Sequence, residues 1–295
     1  MTALQAGIAA CRLGSFASVM VLFGAGFFTS AFATGALGDF IAQRLRLCIG
    51  LAVVVALVAA TASLPLGIVA IAGGWREAMQ PGIVSTILWE TTSGWTIPFR
   101  LGLTILLAGF FVASSRPTLG LLILSGLLLA SFAFSGHAVM DEGTRDLIHR
   151  SNDIVHLIAG AAWLGSLVPL LPCLSALRRP ALRKESGLAL RRFSIAGHGA
   201  VALVLTTGIA NALLVAGSPA DWLIPSPYHI LLPIKMTLVG TMVGLAITNR
   251  YVWVPRLKSR GRAAVRAITR RTIVELVLGA AVLALVALFG LLDPN

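Results

Sequence analysis

His137, Met140, His149, Asp153 and His156 fall within one short stretch of the chain, and three of the five histidines are among them. His149, Asp153 and His156 are spaced i, i+4 and i+7, so a helix would carry them on a single face. His137 and Met140, three apart, share a face of the segment before. Imidazole, thioether and carboxylate together are the side chains of a transition-metal site. Imidazole suits copper, and thioether sulfur favours Cu(I). Asp153 could accept from the free N–H of an imidazole and orient it. His229, just after Pro225 and Pro227, is a further candidate ligand. His198 lies apart from the cluster.

Each residue also has a plain structural reading. His137 follows Ser135-Gly136 and could cap carbonyls at a helix end. His149 reads as a solvated side chain in a charged loop, and His229 as a loop residue. Met79, Met140 and Met236 read as packing residues. His156 is different, because it lies within an apolar run, where an ionisable group is costly and marks a functional site by default.

The elements that must position these residues are membrane spans. Apolar residues make up 57% of the chain and charged residues 12%, against about 25% charged in soluble domains. Apolar runs of about 20 residues recur, the length that crosses the hydrocarbon core. The fold class is therefore all-α, a polytopic membrane helical bundle. Eight spans are expected, at about 13–36, 46–72, 97–114, 118–138, 152–172, 193–216, 229–249 and 273–291. The whole chain, 1–295, reads as a single integral membrane domain.

The net charge of +12 invites a nucleic-acid reading, but its placement opposes one. The basic residues collect in two short loops. One holds Arg178, Arg179, Arg183, Lys184, Arg191 and Arg192. The other holds Arg256, Lys258, Arg260, Arg262, Arg266, Arg270 and Arg271. Both belong in the cytoplasm by the positive-inside rule. With eight spans both termini then face the periplasm, and Arg44, Arg46 and Arg116 fall inside. His137, His149, Asp153, His156 and His229 all come to the outer mouth, with most of the acidic residues. Glu275 goes to the inner side.

Ala31-Phe32-Ala33 after an apolar run resembles a signal-peptidase site, but cleavage there would put Arg44 and Arg46 on the wrong side. The basic stretch 256–271 is expected to contact anionic lipid, as an interfacial helix or as a retention signal. Cys11, Cys48 and Cys173 have no CxxC spacing and form no disulfide framework. Trp75, Trp89, Trp95, Trp222 and Trp253 fall near interfaces, and Trp163 shares the face of His156. No P-loop, GxSxG elbow or HExxH motif occurs, and no nucleophile or acid/base pair emerges, so the chain does not read as an enzyme.

The stretch His156-x6-Trp163-x-Gly165-Ser166-Leu167-x-Pro169 resembles the signature of the copper resistance protein D (CopD) family. Ser135-Gly136-His137-Ala138 resembles the family's Gly-His-Ala element. Thr92-x-Gly94-x3-Pro98-x-Arg100, Arg192-Phe193-Ser194, Thr207-Gly208-x2-Asn211, Lys235 and Asn249-Arg250 agree in order. The resemblance is tightest over residues 131–255. It implies an eight-span protein of the bacterial inner membrane that moves copper from periplasm to cytoplasm. It also implies a periplasmic copper-binding partner of the copper resistance protein C (CopC) type, here a separate protein. His137 and His156 would be the primary ligands, Met140 and His229 further ones, and Asp153 a supporting group. The chain lacks Met-rich or Cys-rich runs. A rival reading is a haem-binding electron carrier, with His137 and His156 as axial ligands.

Overall fold

A computed structural model describes residues 1–113, 119–135, 143–216 and 227–292; the side chains of 92, 93, 216, 227–229, 258 and 260 lie outside the description. His137 and Met140, and the side chain of His229, are therefore outside it. The described chain is helical, and no strand occurs among the described residues.

The elements are α1 (Ala3–Ala31), α2 (Gly35–Ala72), two short helices α3 (Trp75–Ala78) and α4 (Pro81–Glu90), α5 (Thr92–Ala113), α6 (Leu119–Phe132) and α7 (Gly143–Gly160). A π-helical turn at Ala161–Gly165 leads into α8 (Leu167–Ala176). Then come α9 (Arg183–Ala216), α10 (Pro227–Thr248), a second π-helical turn at Asn249–Trp253, and α11 (Leu257–Phe289). Among the described residues, seven helical stretches are long and apolar enough to cross a membrane. α6, at 14 residues, is a shorter apolar helix and falls at the fourth expected span, 118–138.

Buried side chains gather around α1, which packs against α2, α6, α8, α11 and the first π turn. Leu22, Phe28, Leu37, Ile41, Leu107, Leu128 and Leu174 are at its heart. A helix so placed is the centre of the bundle. The outward faces are apolar too: Leu47, Leu51, Val58, Leu106, Ile195, Ile209 and Val277 are exposed. Such a surface is stable only against lipid.

Three boundaries depart from the sequence expectation. α2 begins at Gly35 rather than about 46, so Arg44 and Arg46 ride on a helix. α7 begins at Gly143, which turns the charged segment around His149 from loop into helix. α11 is continuous from Leu257, so the basic stretch is the first half of a crossing helix and not a separate interfacial one. In each case a helix runs on beyond the apolar window, because intrahelical hydrogen bonds satisfy the backbone wherever the hydrocarbon ends.

Contacts sort the helix ends into two groups. Met1 and Gln5 lie beside Leu288, Leu291 and Leu292, and Arg12 packs on Gly290, so both chain ends share one end of the bundle. At the other end the start of α2 meets the start of α9, where the Leu37 N–H donates to Glu185 Oε2 at 3.1 Å. There Arg179 stacks over Phe40 at 4.6 Å. α5 and α6 form an antiparallel hairpin, since Arg100 near the start of α5 bonds Ser131 and Ser135 at the end of α6. α6 thus returns the chain to the end that holds the termini.

Candidate functional site

The end that carries both termini encloses a cavity of about 580 Å³. Its polar wall is made by His149, Asp153 and His156 of α7, Asn211 of α9, Arg12 of α1, Arg100 of α5 and Lys235 of α10. The remaining wall is apolar, with Phe16, Leu128 and Phe132 among its residues. The helical spacing of the three α7 residues is realised: all of them line this one space.

His156 is held from α9. Its Nδ1 lies 2.9 Å from Thr207 Oγ1. The Thr207 hydroxyl donates its own proton back to the Leu203 carbonyl of the preceding turn. With the hydroxyl proton placed there, its oxygen accepts from the imidazole, which assigns the proton to Nδ1 and leaves the lone pair on Nε2. That is the tautomer a metal ligand requires. Gly208 makes the approach possible, because a Cβ there would stand 3.2 Å from His156 Cε1.

Asp153 is held by the same helix. Asn152 Nδ2 donates to the Thr207 carbonyl at 2.9 Å and to Asn211 Oδ1 at 2.6 Å. Asn211 Nδ2 donates in turn to Asp153 Oδ1 at 3.1 Å. Thr207-Gly208-x2-Asn211 is therefore a rack for α7: threonine sets the imidazole, glycine gives it room, asparagine sets the carboxylate. His149 is 4% exposed and close enough to Asp153 for direct charge interaction. The solvated reading of His149 is thus overturned: once α7 is extended to Gly143, the residue turns inward.

Three cations surround this group. Arg12 and Lys235 both interact electrostatically with Asp153. Arg12 Nε is buried without a hydrogen-bond partner. Arg100 donates to the Ser131 carbonyl at 2.6 Å and to Ser135 Oγ at 2.8 Å, and lies over the Phe132 ring. It thereby fixes the helix end from which the chain continues to Gly136 and His137. The sequence signal for these cations was there to see: each is a charged residue within or at the edge of an apolar span.

Trp163, 5% exposed, lines the cavity from the π turn. π-helical turns are rare and often sit at functional sites. This one brings Gly165 against Gly24 of α1: a Cβ on Gly24 would strike the Gly165 backbone, and one on Gly165 the Met20 carbonyl. Met236 also lines the cavity, whereas His198 lies outside it. His198 is exposed and bonds the Ser194 carbonyl and Tyr251 Oη. Cys48 is exposed and Cys173 is buried. Among the described residues, no three His, Cys, Asp or Glu side chains converge closely enough to hold a metal ion.

Comparison with known proteins bears on what this arrangement serves. Residues 1–147 match the family described as Copper resistance protein D-like, N-terminal domain, and residues 187–289 match Copper resistance protein D. The Pseudomonas syringae pv. tomato protein named Copper resistance protein D is 34% identical over 233 residues, 76% of this chain and 75% of that one. This chain belongs to the copper resistance protein D family. The Inner membrane protein YebZ of Escherichia coli is 33% identical over 286 residues, 97% of each chain. The Copper transport protein CutJ of Bacillus subtilis is 30% identical over 255 residues, which cover 83% of this chain and 46% of that longer protein. No solved structure matches. As a copper resistance protein D relative, the chain has a membrane function related to copper.

Proposed function

We propose that this protein accepts copper in the cavity at the end that carries both termini, and passes it across the bacterial inner membrane toward the cytoplasm. One observation carries the reading. His156 is locked by Thr207 with Nε2 open to a ligand, in a cavity it shares with Asp153 and His149. The names of the relatives, one a copper transport protein and one an inner membrane protein, support it. Ligation is completed by His137 and Met140, which follow the α6 end that Arg100 anchors, and by His229 at the start of α10. Residues 1–295 work as one membrane unit, with both termini periplasmic and the basic loops cytoplasmic. A separate periplasmic protein of the copper resistance protein C type delivers the metal.

The cations in the wall fit a conduit better than a store. A cation bound beside Arg12, Arg100 and Lys235 is repelled by them, and transport demands a site that releases its cargo. The test is Cu(I) binding to detergent-purified protein, beside His156→Ala and the His137→Ala/His156→Ala double variant. We expect wild-type binding to weaken in the single variant and vanish in the double one. Equal binding in all three would remove this cavity as the site.

The same cavity favours a second reading. Its volume, its apolar wall and its three cations would suit a haem with its propionates, with His156 and His137 as axial ligands. A Soret band in purified protein, lost in His156→Ala, would establish it in place of the copper site.

A further inference from the structure

A second buried polar group lies near the opposite end of the bundle. Glu275 of α11 is 2% exposed, and no basic side chain pairs with it among the described residues. Its hydrogen-bond partner is Asn249, whose Nδ2 donates to Glu275 Oε1 at 2.9 Å. Two other oxygens are buried here without partners: Asn249 Oδ1 and the hydroxyl of Thr272, itself 0% exposed. Thr272 and Glu275 are three apart on one helix face. Asn249, which begins the second π-helical turn, reaches Glu275 from the neighbouring helix.

The surrounding charges are elsewhere. α1 brings Arg12 and α10 brings Lys235, but these sit at Gly290 and Phe289, about 22 Å along α11 from Glu275. Arg271, one turn before Glu275, stacks over Trp253 at 4.9 Å, as does Arg256 at 5.4 Å. The π turn also carries Arg250 and Tyr251, the latter bonded to His198. α8 supplies Cys173, whose thiol faces the Ser186 carbonyl. The first π turn, AAWLG, has no titratable side chain.

An isolated carboxylate in such a place is costly to keep. Its neighbours are of a particular kind. An amide and a hydroxyl can each donate or accept. With Glu275 charged, Asn249 Nδ2 donates to it, and the Thr272 hydroxyl, on the same helix face and without a partner, is available as a second donor. With Glu275 neutral, its own O–H donates to the oxygen of either, both of which lack a donor. A lysine or arginine in their place would satisfy the charged state alone. We propose that Glu275, Asn249 and Thr272 form a proton-binding site near the end of the bundle opposite the copper cavity, and that the proton taken there is the coupling ion of transport. The coupling rests on the transport reading above; the proton site does not.

The experiment is pH-difference infrared spectroscopy on the full-length protein in liposomes, without copper. We expect a protonated-carboxyl C=O band that titrates, disappears in Glu275→Gln and shifts in Thr272→Val, both near-isosteric changes. A wild-type spectrum identical to that of Glu275→Gln would overturn the proton site. So would a band that ignores pH and responds only to added sodium. Proteoliposome uptake then tests the coupling. Copper entry that rises several-fold with an imposed proton gradient, and loses that dependence in Glu275→Gln, is expected. Gradient-independent uptake overturns the coupling. Absence of uptake in the wild type counts against the transport reading and leaves the infrared result standing.

Discussion

At the scale of single residues, the polar site depends on side chains that touch no cargo. Thr207 decides which nitrogen of His156 is free, and it can do so because its hydroxyl proton is already committed to Leu203. Thr207→Val keeps the shape and removes the acceptor, so the imidazole loses both its tautomer and its orientation. Loss of such a supporting partner typically lowers metal affinity about 10–100-fold, and that is the expected fall in Cu(I) affinity by competition titration. Thr207→Ser should recover most of it. Equal affinity in the valine variant would mean that Thr207 only packs. Asn211→Leu should act through Asp153 in the same direction but more weakly, because a supporting carboxylate would be freed while His156 stays held. The sequence made the α7 face legible, since i, i+4, i+7 spacing survives whatever the helix does at its ends. It did not show that His149 is buried. That depended on where α7 begins, and charged residues in a helix running beyond the apolar window look like a loop. Nor could spacing along one helix reveal that Arg12 and Lys235, from two others, act on Asp153, or that Arg100 lines the same cavity.

At the scale of elements, the cavity exists because α1 and the first π turn touch backbone to backbone at Gly24 and Gly165. Small residues let membrane helices approach this closely, where van der Waals contact replaces the hydrophobic drive. Gly165→Ala places a methyl group in the α1 backbone. Overpacking of this kind costs about 1–3 kcal/mol, so a lower thermal midpoint in detergent and a disturbed Trp163 emission are expected. Gly187→Ala, where an added Cβ meets nothing, is the control and should leave both unchanged. If both variants melt like wild type, the crossing is looser than drawn. Arg100 performs a related task for the α5–α6 hairpin. Arg100→Met keeps the apolar stem but removes the bonds to Ser131 and Ser135. The helix end that leads to His137 should then exchange backbone amide hydrogen faster, with little change at the opposite end. Unaltered exchange there would show that packing, and not the guanidinium, holds that end. In the sequence, Gly165 and Arg100 stood out as parts of short motifs. The π turn that brings Trp163 and Gly165 into place left no periodic signal, because a π turn is one residue of slippage within an unbroken apolar helix.

For the whole molecule, two polar centres occupy opposite ends of one bundle. One is rich in imidazole and fixed cations, and the other is a carboxyl group with partners that serve it charged or neutral. Between them α1 is packed against α2, α6, α8, α11 and the first π turn, and on the transport reading proposed above a route would run beside α1 and not through it. The direction of travel depends on which end faces the periplasm. The contacts between Met1, Gln5 and the last turn of α11 tie both termini to the end that holds the cavity. The basic loops lie at the other. Loops dense in arginine and lysine are retained in the cytoplasm, and the orientation we propose therefore has the cavity and both termini in the periplasm and Glu275 toward the cytoplasm. Cysteines introduced at Thr2, Ser175 and Ser259, in a background lacking Cys11, Cys48 and Cys173, test this in intact cells with a membrane-impermeant thiol reagent. Thr2→Cys should label from outside; Ser175→Cys and Ser259→Cys should label only after the membrane is permeabilised. The reverse pattern would put the imidazole cavity in the cytoplasm and turn uptake into export. Mixed labelling of Ser175→Cys and Ser259→Cys would contradict the even number of passes that brings the chain back to the side on which it began.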